Sequence, residues 1–579
     1  MFKKRSFFAA FLLLLFLPSS LCLYSHFCKN ENRSFETFTD NLFLQEVSGS
    51  TITLHYTLKN PQNYHIKDTP IRYGSFSADV DATCAALENT RSLLHSFDTA
   101  QLNQTNRLTY EVLEDYLNQS LKLAPYTLYN DPLAPMTGIQ AQLPILLSEY
   151  QFYSSQDVDT YLELLKKTPE YFQSLLAFEQ KRADTGLFMP SYSAIDIINE
   201  CRDFIALGNN NYLISTFSDR LKDLSLSEKQ NSSYINTNTT YIQKYIMPAY
   251  LTLADGLEDL QNSGRNQKGL CYLPDGKSYY EALVHSETGS LRSVTELQKL
   301  TVSQMQKDLS AIQKVLKENP DANAFPEATT LKLADKNPSA ILSTLAGKIS
   351  EDFPQLSDVH TQVKYVEDSM EDYLSPAFYM IPPIDYNNEN IIYVNQKHMN
   401  DDLTLFTTLA HEGYPGHLYQ TVYYTRTNPP AIRTLLSFGG YTEGWATYCE
   451  MMSYYYTSLT KDQAVLLQKN ASLLLGLYAL ADMGIHYNGW STADTITFFG
   501  SYGITNADTV KEIYELIIAD PANYLKYYIG YLEFLELKKE AIATWGSDFS
   551  QKRFHQTILE IGPAAFPRIE KYLLHSTGK

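Results

Sequence analysis

The chain has 579 residues, 44% apolar and 19% charged, a balance that excludes a disordered or fibrous protein and leaves room for a large buried core. Its 46 Lys and Arg stand against 65 Asp and Glu, a formal net charge of −19. A surface this acidic repels phosphate backbones, so nucleic acid is not an expected partner.

The N-terminus carries Lys3, Lys4 and Arg5, an apolar run over residues 7–17, and Pro18-Ser19-Ser20-Leu21-Cys22. A basic start, a short apolar core and small residues at its end describe a secretory signal. The run holds 11 residues, about half of the ~20 that span a bilayer. Residues 1–22 are therefore expected to be a signal peptide, cleaved or lipid-anchored through Cys22, with no other membrane contact. The protein is expected to be secreted or held at the cell surface. Leu21 is bulky for a lipidation signal, so both forms of export stay open. The six cysteines, Cys22, Cys28, Cys84, Cys201, Cys271 and Cys449, are too widely spaced for a compact disulfide framework or a CxxC metal knuckle. Cys449, in an apolar helical stretch, is expected to be a buried free thiol.

Beyond residue 30 there is no repeat and no low-complexity tract. Residues 158–176, 294–316 and 462–483 carry apolar side chains at helical spacing, while period-2 runs are few. Turn-rich breaks at 209–211, 262–267, 318–323 and 387–390 look like connections inside one body. The expectation is a mainly α fold, with residues 30–575 as a single helical domain. One β-branched and aromatic run, residues 390–395, reads as a short strand about 16 residues before His411. As an edge strand it would hold an extended peptide, with Tyr393 and Asn395 as substrate-binding residues. As an internal strand it would be structural only.

The chemistry concentrates at His411-Glu412-Gly413-Tyr414-Pro415-Gly416-His417. Zinc peptidases commonly place two histidines at i and i+4 on one helix face. Here the second histidine arrives at i+6, about 240° around an ideal helix, too far to share an ion. Pro415 and Gly416 alter that geometry: proline breaks the hydrogen-bond ladder and glycine permits unusual dihedrals. A bulged or broken turn there brings His417 back over His411. A third ligand is offered by Glu443, on a helical stretch beginning 30 residues after His411. His-His-Glu is a known catalytic zinc set that leaves one position for water. Zn2+ is the expected cofactor. Glu450, seven residues after Glu443 and on the same helix face, is expected to orient a ligating histidine through its other ring nitrogen. Glu412, beside the first ligand, is the expected general base.

The motifs His-Glu-Gly-Tyr-Pro-Gly-His at 411–417 and Glu-Gly-Trp-Ala-Thr-Tyr-Cys-Glu at 443–450 resemble the bacterial family called domain of unknown function 885, grouped with the gluzincin metallopeptidases. Residues 138–147, 272–280, 482–490 and 527–530, with Phe554-His555, also resemble its recurrent segments, so the likeness runs along most of the chain. The resemblance implies a large helical, zincin-like body with a deep central channel and a small β element beside the active-site helix. It implies zinc at the residues matching His411, His417 and Glu443, with Glu412 catalytic. Many family members carry an arginine shortly before the Asp-x-Gly-x-His segment, where this chain has Leu477-Tyr478-Ala479. A carboxylate contact made by that arginine is not expected here.

Tyr527 and His555, carried over from matching segments, are candidate catalytic donors to an oxyanion. Tyr527 also sits in a run with Tyr524, Tyr528 and Tyr531 that packing alone would explain. Asp482 and His486 stand at i and i+4, as a second carboxylate–histidine pair near the channel or as a packing interface. Arg426 and Arg433 are candidates for a peptide's terminal carboxylate or for plain solvation. The function expected is hydrolysis of a peptide or small amide by zinc-activated water. A zinc hydrolase of other amides or esters, and an inactive cell-surface binding protein on the same scaffold, are the alternatives.

Overall fold

The computed structural model describes residues 30–319, 331–367, 371, 374–386, 389–399 and 401–575; the signal-peptide expectation for residues 1–22 lies outside them. The described chain is mainly α-helical, from Glu31–Val47 to Phe566–Leu574, with one small sheet. Two of the expected helices form close to their predicted limits, as Val294–Glu318 and Lys461–Met483. Each opens with a capping box, Ser293 with Glu296 and Thr460 with Gln463, which satisfies otherwise orphaned N–H groups. The expected helix over 158–176 is instead two helices, Ser155–Leu165 and Thr168–Thr185. Pro169, in the first turn of the second helix, has no N–H to bond back to Leu165, so the first helix cannot run on unbroken into the second.

Buried apolar side chains fall into two clusters. One joins the N-terminal helices to the C-terminal half, and the other is built mostly from residues 133–260. The sheet stands between them. Strands β1 (Thr361–Tyr365), β2 (Ala377–Met380) and β3 (Asn390–Val394) lie in the order β1-β3-β2, with β3 parallel to β1 and antiparallel to β2. Alternation along a strand divides the side chains: Tyr379, Ile392 and Val394 enter the first cluster, Phe378, Ile391 and Tyr393 the second.

This arrangement corrects the strand expectation. β3 is central, hydrogen-bonded on both sides, and has no free edge for a peptide. Tyr393 points away from the His411 helix, donates its hydroxyl to Glu149 and stacks on Phe378. Asn395 is fully buried, and its side-chain amide donates to the carbonyls of Glu371 and Leu374 at 2.7 and 3.0 Å. Both side chains are buried and bonded within the fold, as the internal-strand alternative expects.

Candidate metal centre

Helix Asp402–Glu412 starts at Asp401, whose carboxylate accepts the Thr404 N–H at 2.8 Å. It buries Leu405, Phe406, Leu409 and Ala410 in the first core. Its C-terminus carries the first two motif residues: the helix stops at Glu412 and a new one, His417–Arg426, begins at the second histidine. The broken-turn alternative is the one observed. Gly416 is required there by close approach: a Cβ on it would lie 1.7 Å from the His411 carbonyl oxygen. The loop is clamped from helix Gly439–Ser453, where the Trp445 indole N–H donates to the Pro415 carbonyl at 2.9 Å and the Cys449 thiol lies 3.4 Å from the same oxygen. Cys449 is buried and free, as expected.

The break brings the two imidazoles together. Their ring centroids are 4.8 Å apart and the planes nearly perpendicular, at 82°. Glu443 Oε2 stands 3.7 Å from His411 Nε2 and 3.5 Å from His417 Nε2. One ligand atom from each of the three lies within 4.8 Å of the others. His411 and Glu443 are buried, while the His417 side chain keeps 13% of its surface exposed and gives the cluster an open side. Glu450 Oε2 accepts from His411 Nδ1 at 2.9 Å, which turns Nε2 toward the cluster. Burial pushes the Glu443 carboxyl up, but His417 and His411 outweigh it and hold the group well below the usual carboxylate range. Glu443 Oε1 is buried with no hydrogen-bond partner among the described residues. Two imidazole nitrogens and a carboxylate, converging with an unsatisfied oxygen, fit a zinc ion.

Glu412 is buried beside the cluster, and its Oε2 accepts the backbone N–H of Tyr379 from β2 at 3.1 Å. The strand next to the site is thus β2, which the sequence reading missed. Tyr527 stands with its ring 6.5 Å from that of His411. Burial, with Glu443 and Glu412 adding to it, raises its hydroxyl pKa far above 10.0 and keeps it a proton donor. Glycines place it: a Cβ on Gly444 would lie 2.5 Å from Gly530 Cα, and one on Gly530 would lie 2.2 Å from the Gly440 carbonyl. Helices Gly439–Ser453 and Asn523–Trp545 therefore cross backbone to backbone, with Glu443 and Tyr527 near the crossing.

Other candidates find different partners. His555 is fully buried on the far side of helix Gly439–Ser453. Its Nδ1 bonds the Asp352 carbonyl at 2.7 Å and its Nε2 the Tyr448 hydroxyl at 2.9 Å, while its ring stacks on Phe353. Tyr448 stands five residues after Glu443, about 140° around the helix, so a group it contacts is turned away from the metal. Burial lowers the His555 pKa to about 3. The catalytic expectation for His555 is therefore corrected to a structural one.

Asp482 and His486 do not pair. The chain turns to a wider π-helical coil over Gly484–Asn488, which breaks the i, i+4 register. Asp482 accepts from the Tyr280 hydroxyl and, at 3.0 Å, from the Ala522 N–H; His486 bonds the Leu270 N–H and the Ile517 carbonyl. These bonds tie elements of the core together and do not orient a metal ligand. Arg426 and Arg433 donate to backbone carbonyls, of Asp358 and of Ile561 and Pro563.

A cavity of about 650 Å³ takes part of its wall from the two helices that carry Glu443 and Tyr527. The three candidate ligands are not among its lining residues, but Gly439, four residues before Glu443, and Lys526, one before Tyr527, are.

The family described as "Bacterial protein of unknown function (DUF885)" matches residues 71–573, and the chain belongs to it. Among solved structures, the chain is similar to the "putative lipoprotein" from Colwellia psychrerythraea, at 17% identity and a TM-score of 0.81, covering 94% of this chain and 99% of that one. A "putative lipoprotein of unknown function" from Shewanella oneidensis aligns at 16% identity and a TM-score of 0.66, over 93% of this chain and 100% of the other. At these identities the likeness is one of fold. No curated protein matches the chain.

Proposed function

We propose that the chain is an exported zinc-dependent hydrolase of the gluzincin kind that cleaves amide bonds in short peptides. The observation that carries this is the convergence of ligand atoms of His411, His417 and Glu443 within 4.8 Å, with Glu412 next to His411 in the chain. Zinc, when held there, supplies Lewis acidity toward a water and toward a substrate carbonyl. Glu412, fixed by the Tyr379 N–H, accepts the water's proton and returns it to the leaving amine. Tyr527, whose ring stands 6.5 Å from that of His411, donates its hydroxyl to the developing oxyanion, a contact worth about 3–4 kcal/mol. Glu450 holds the His411 ring in place through Nδ1. Export is supported by the basic-apolar N-terminal pattern and by the lipoprotein descriptions of the two similar structures.

The test is a peptide library incubated with the wild type and with Glu412→Gln, with metal content measured in both. The variant is expected to keep its metal and to lose about 10²–10⁴-fold in rate. Equal cleavage by both proteins, or none by the metal-loaded wild type, would overturn the proposal.

A further inference from the structure

We infer that the end of the large cavity nearest the metal centre is a subsite for a free carboxylate, bound by the Lys526 ammonium. The amide cleaved then belongs to the terminal residue of a peptide C-terminus or of an N-acyl amino acid. This rests on the amide-hydrolase reading and adds the polarity of its substrate.

Lys526 is only 8% exposed, yet it lines the cavity. Among the described residues its ammonium makes no hydrogen bond and no ion pair within 4.0 Å; its nearest aromatic face is Tyr527, 5.8 Å away. The side chain is thus held by the fold while no protein anion pairs with its ammonium at close range, which leaves it available to a ligand carboxylate. Glu287 and Asp520 line the same cavity. Burial, with Asp520 adding to it, raises the Glu287 carboxyl against the opposing pull of Lys526, and neither carboxylate comes within 4.0 Å of the ammonium.

A second feature converges on the same point. Helix Gly439–Ser453 begins in the cavity wall with no side-chain cap and no acidic residue in its first turn. The N–H groups at such a terminus favour an anion. The Lys526 stem reaches it, since a Cβ on Gly439 would meet Lys526 Cδ at 3.4 Å. Gly439 precedes Glu443 by four residues, a helical rise of about 6 Å. That is the reach of one to two extended residues, at ~3.3–3.6 Å each. Elsewhere in the cavity Tyr126, Tyr129 and Tyr279 form an aromatic cluster, with ring centroids 5.1 Å apart for the last pair, suited to an aromatic terminal side chain.

The experiment compares Ala-Ala-Phe, its C-terminal amide and N-acetylphenylalanine as substrates of the zinc-loaded wild type, Lys526→Met and Lys526→Arg. The free acid is expected to exceed the amide by ten-fold or more in kcat/KM. Lys526→Met should bring that ratio toward one, and Lys526→Arg should restore most of it. Cleavage of N-acetylphenylalanine as fast as the tripeptide identifies an acyl-amino acid as the source of the carboxylate; slower cleavage identifies a peptide. A binding arm reads the subsite without turnover: calorimetric affinity of the same acid and amide for Glu412→Gln, with and without Lys526→Met. If the wild type cleaves nothing but the acid binds ten-fold tighter than the amide through Lys526, the hydrolase reading falls and the subsite stands. Equal rates and equal affinities for acid and amide overturn the subsite.

Discussion

Two buried histidine environments lie on opposite sides of helix Gly439–Ser453. On one side His411 faces Glu443 through Nε2 and Glu450 through Nδ1, with His417 beside it. On the other, His555 spends its nitrogens on a backbone carbonyl and a tyrosine hydroxyl. Burial is nearly the same, at 1% and 0% exposed. The partners differ: carboxylates stabilise cationic charge and convergent nitrogens can share an ion, whereas a carbonyl and a hydroxyl satisfy one neutral imidazole completely. Partner chemistry, rather than burial, separates a candidate ligand from a core residue.

The largest effect that would break this comparison is loss of metal. His417→Ala should leave less than a tenth of the wild-type zinc per chain, while His555→Ala keeps full zinc and loses about 3 kcal/mol of stability through its cavity. Zinc content by emission spectroscopy, with urea unfolding alongside, reads both. Full zinc in His417→Ala would mean that another residue is the ligand. Lost zinc in His555→Ala would join the far side to the site.

The helix break itself comes next. In Gly416→Ala the new methyl meets the His411 carbonyl at 1.7 Å, and no flexible side chain is there to yield. A loss of about 3 kcal/mol is expected, with weaker zinc binding. Gly347→Ala, in helix Pro338–Lys348 with nothing within 4 Å, is the control and should be neutral or stabilising by up to about 1 kcal/mol. Melting temperatures that move alike in the two variants would show that the close approach does not constrain the fold.

A smaller change sharpens the role of Glu450. Its removal in Glu450→Ala frees His411 Nδ1 while keeping all three ligands, and should weaken zinc binding about 10–100-fold. A competition titration with a chelating dye reads it, and unchanged affinity would make Glu450 a bystander.

Legibility in the sequence follows the same division. The His-His-Glu cluster was readable because spacing carries it: Glu443 and Glu450 fall on one face by helical period alone, and Pro415-Gly416 announces a break. What failed depends on distant neighbours. Nothing within residues 390–395 reveals that β1 and β2, from residues 361–380, flank that strand on both sides. His555 cannot be told from a catalytic histidine until Asp352, some 200 residues earlier, is seen against it. The π-helical turn after Met483 undoes a register that periodicity assumes. One signal was overlooked: Gly440 and Gly444 at i and i+4, with Gly530 in the Tyr527 segment, are small residues spaced for a close helix crossing.

The finest probe of the comparison is pH. Burial lowers His555 from 6.5 to about 3, so the folded state keeps a neutral ring where the unfolded chain takes a proton. Its contribution to stability is whole above pH 6.5 and is lost as pH falls toward 3. Between pH 7 and pH 6 that loss is about 0.7 kcal/mol for one such histidine. His55 and His486, lowered by burial to about 3 and about 4, act in the same direction. Asp482 acts oppositely: burial raises it from 3.8 to about 8, so the folded state holds its proton across that window and gains stability on acidification. The absolute slope therefore mixes signs, and the difference between two proteins isolates one group. His555→Phe keeps an aromatic ring to stack on Phe353 and should lose about 0.7 kcal/mol less than the wild type over that pH unit. Identical slopes would show that His555 titrates in the folded protein as it does in the unfolded one. It would then be open to solvent rather than sealed behind Tyr448, and the contrast between the two sides of the helix would fail.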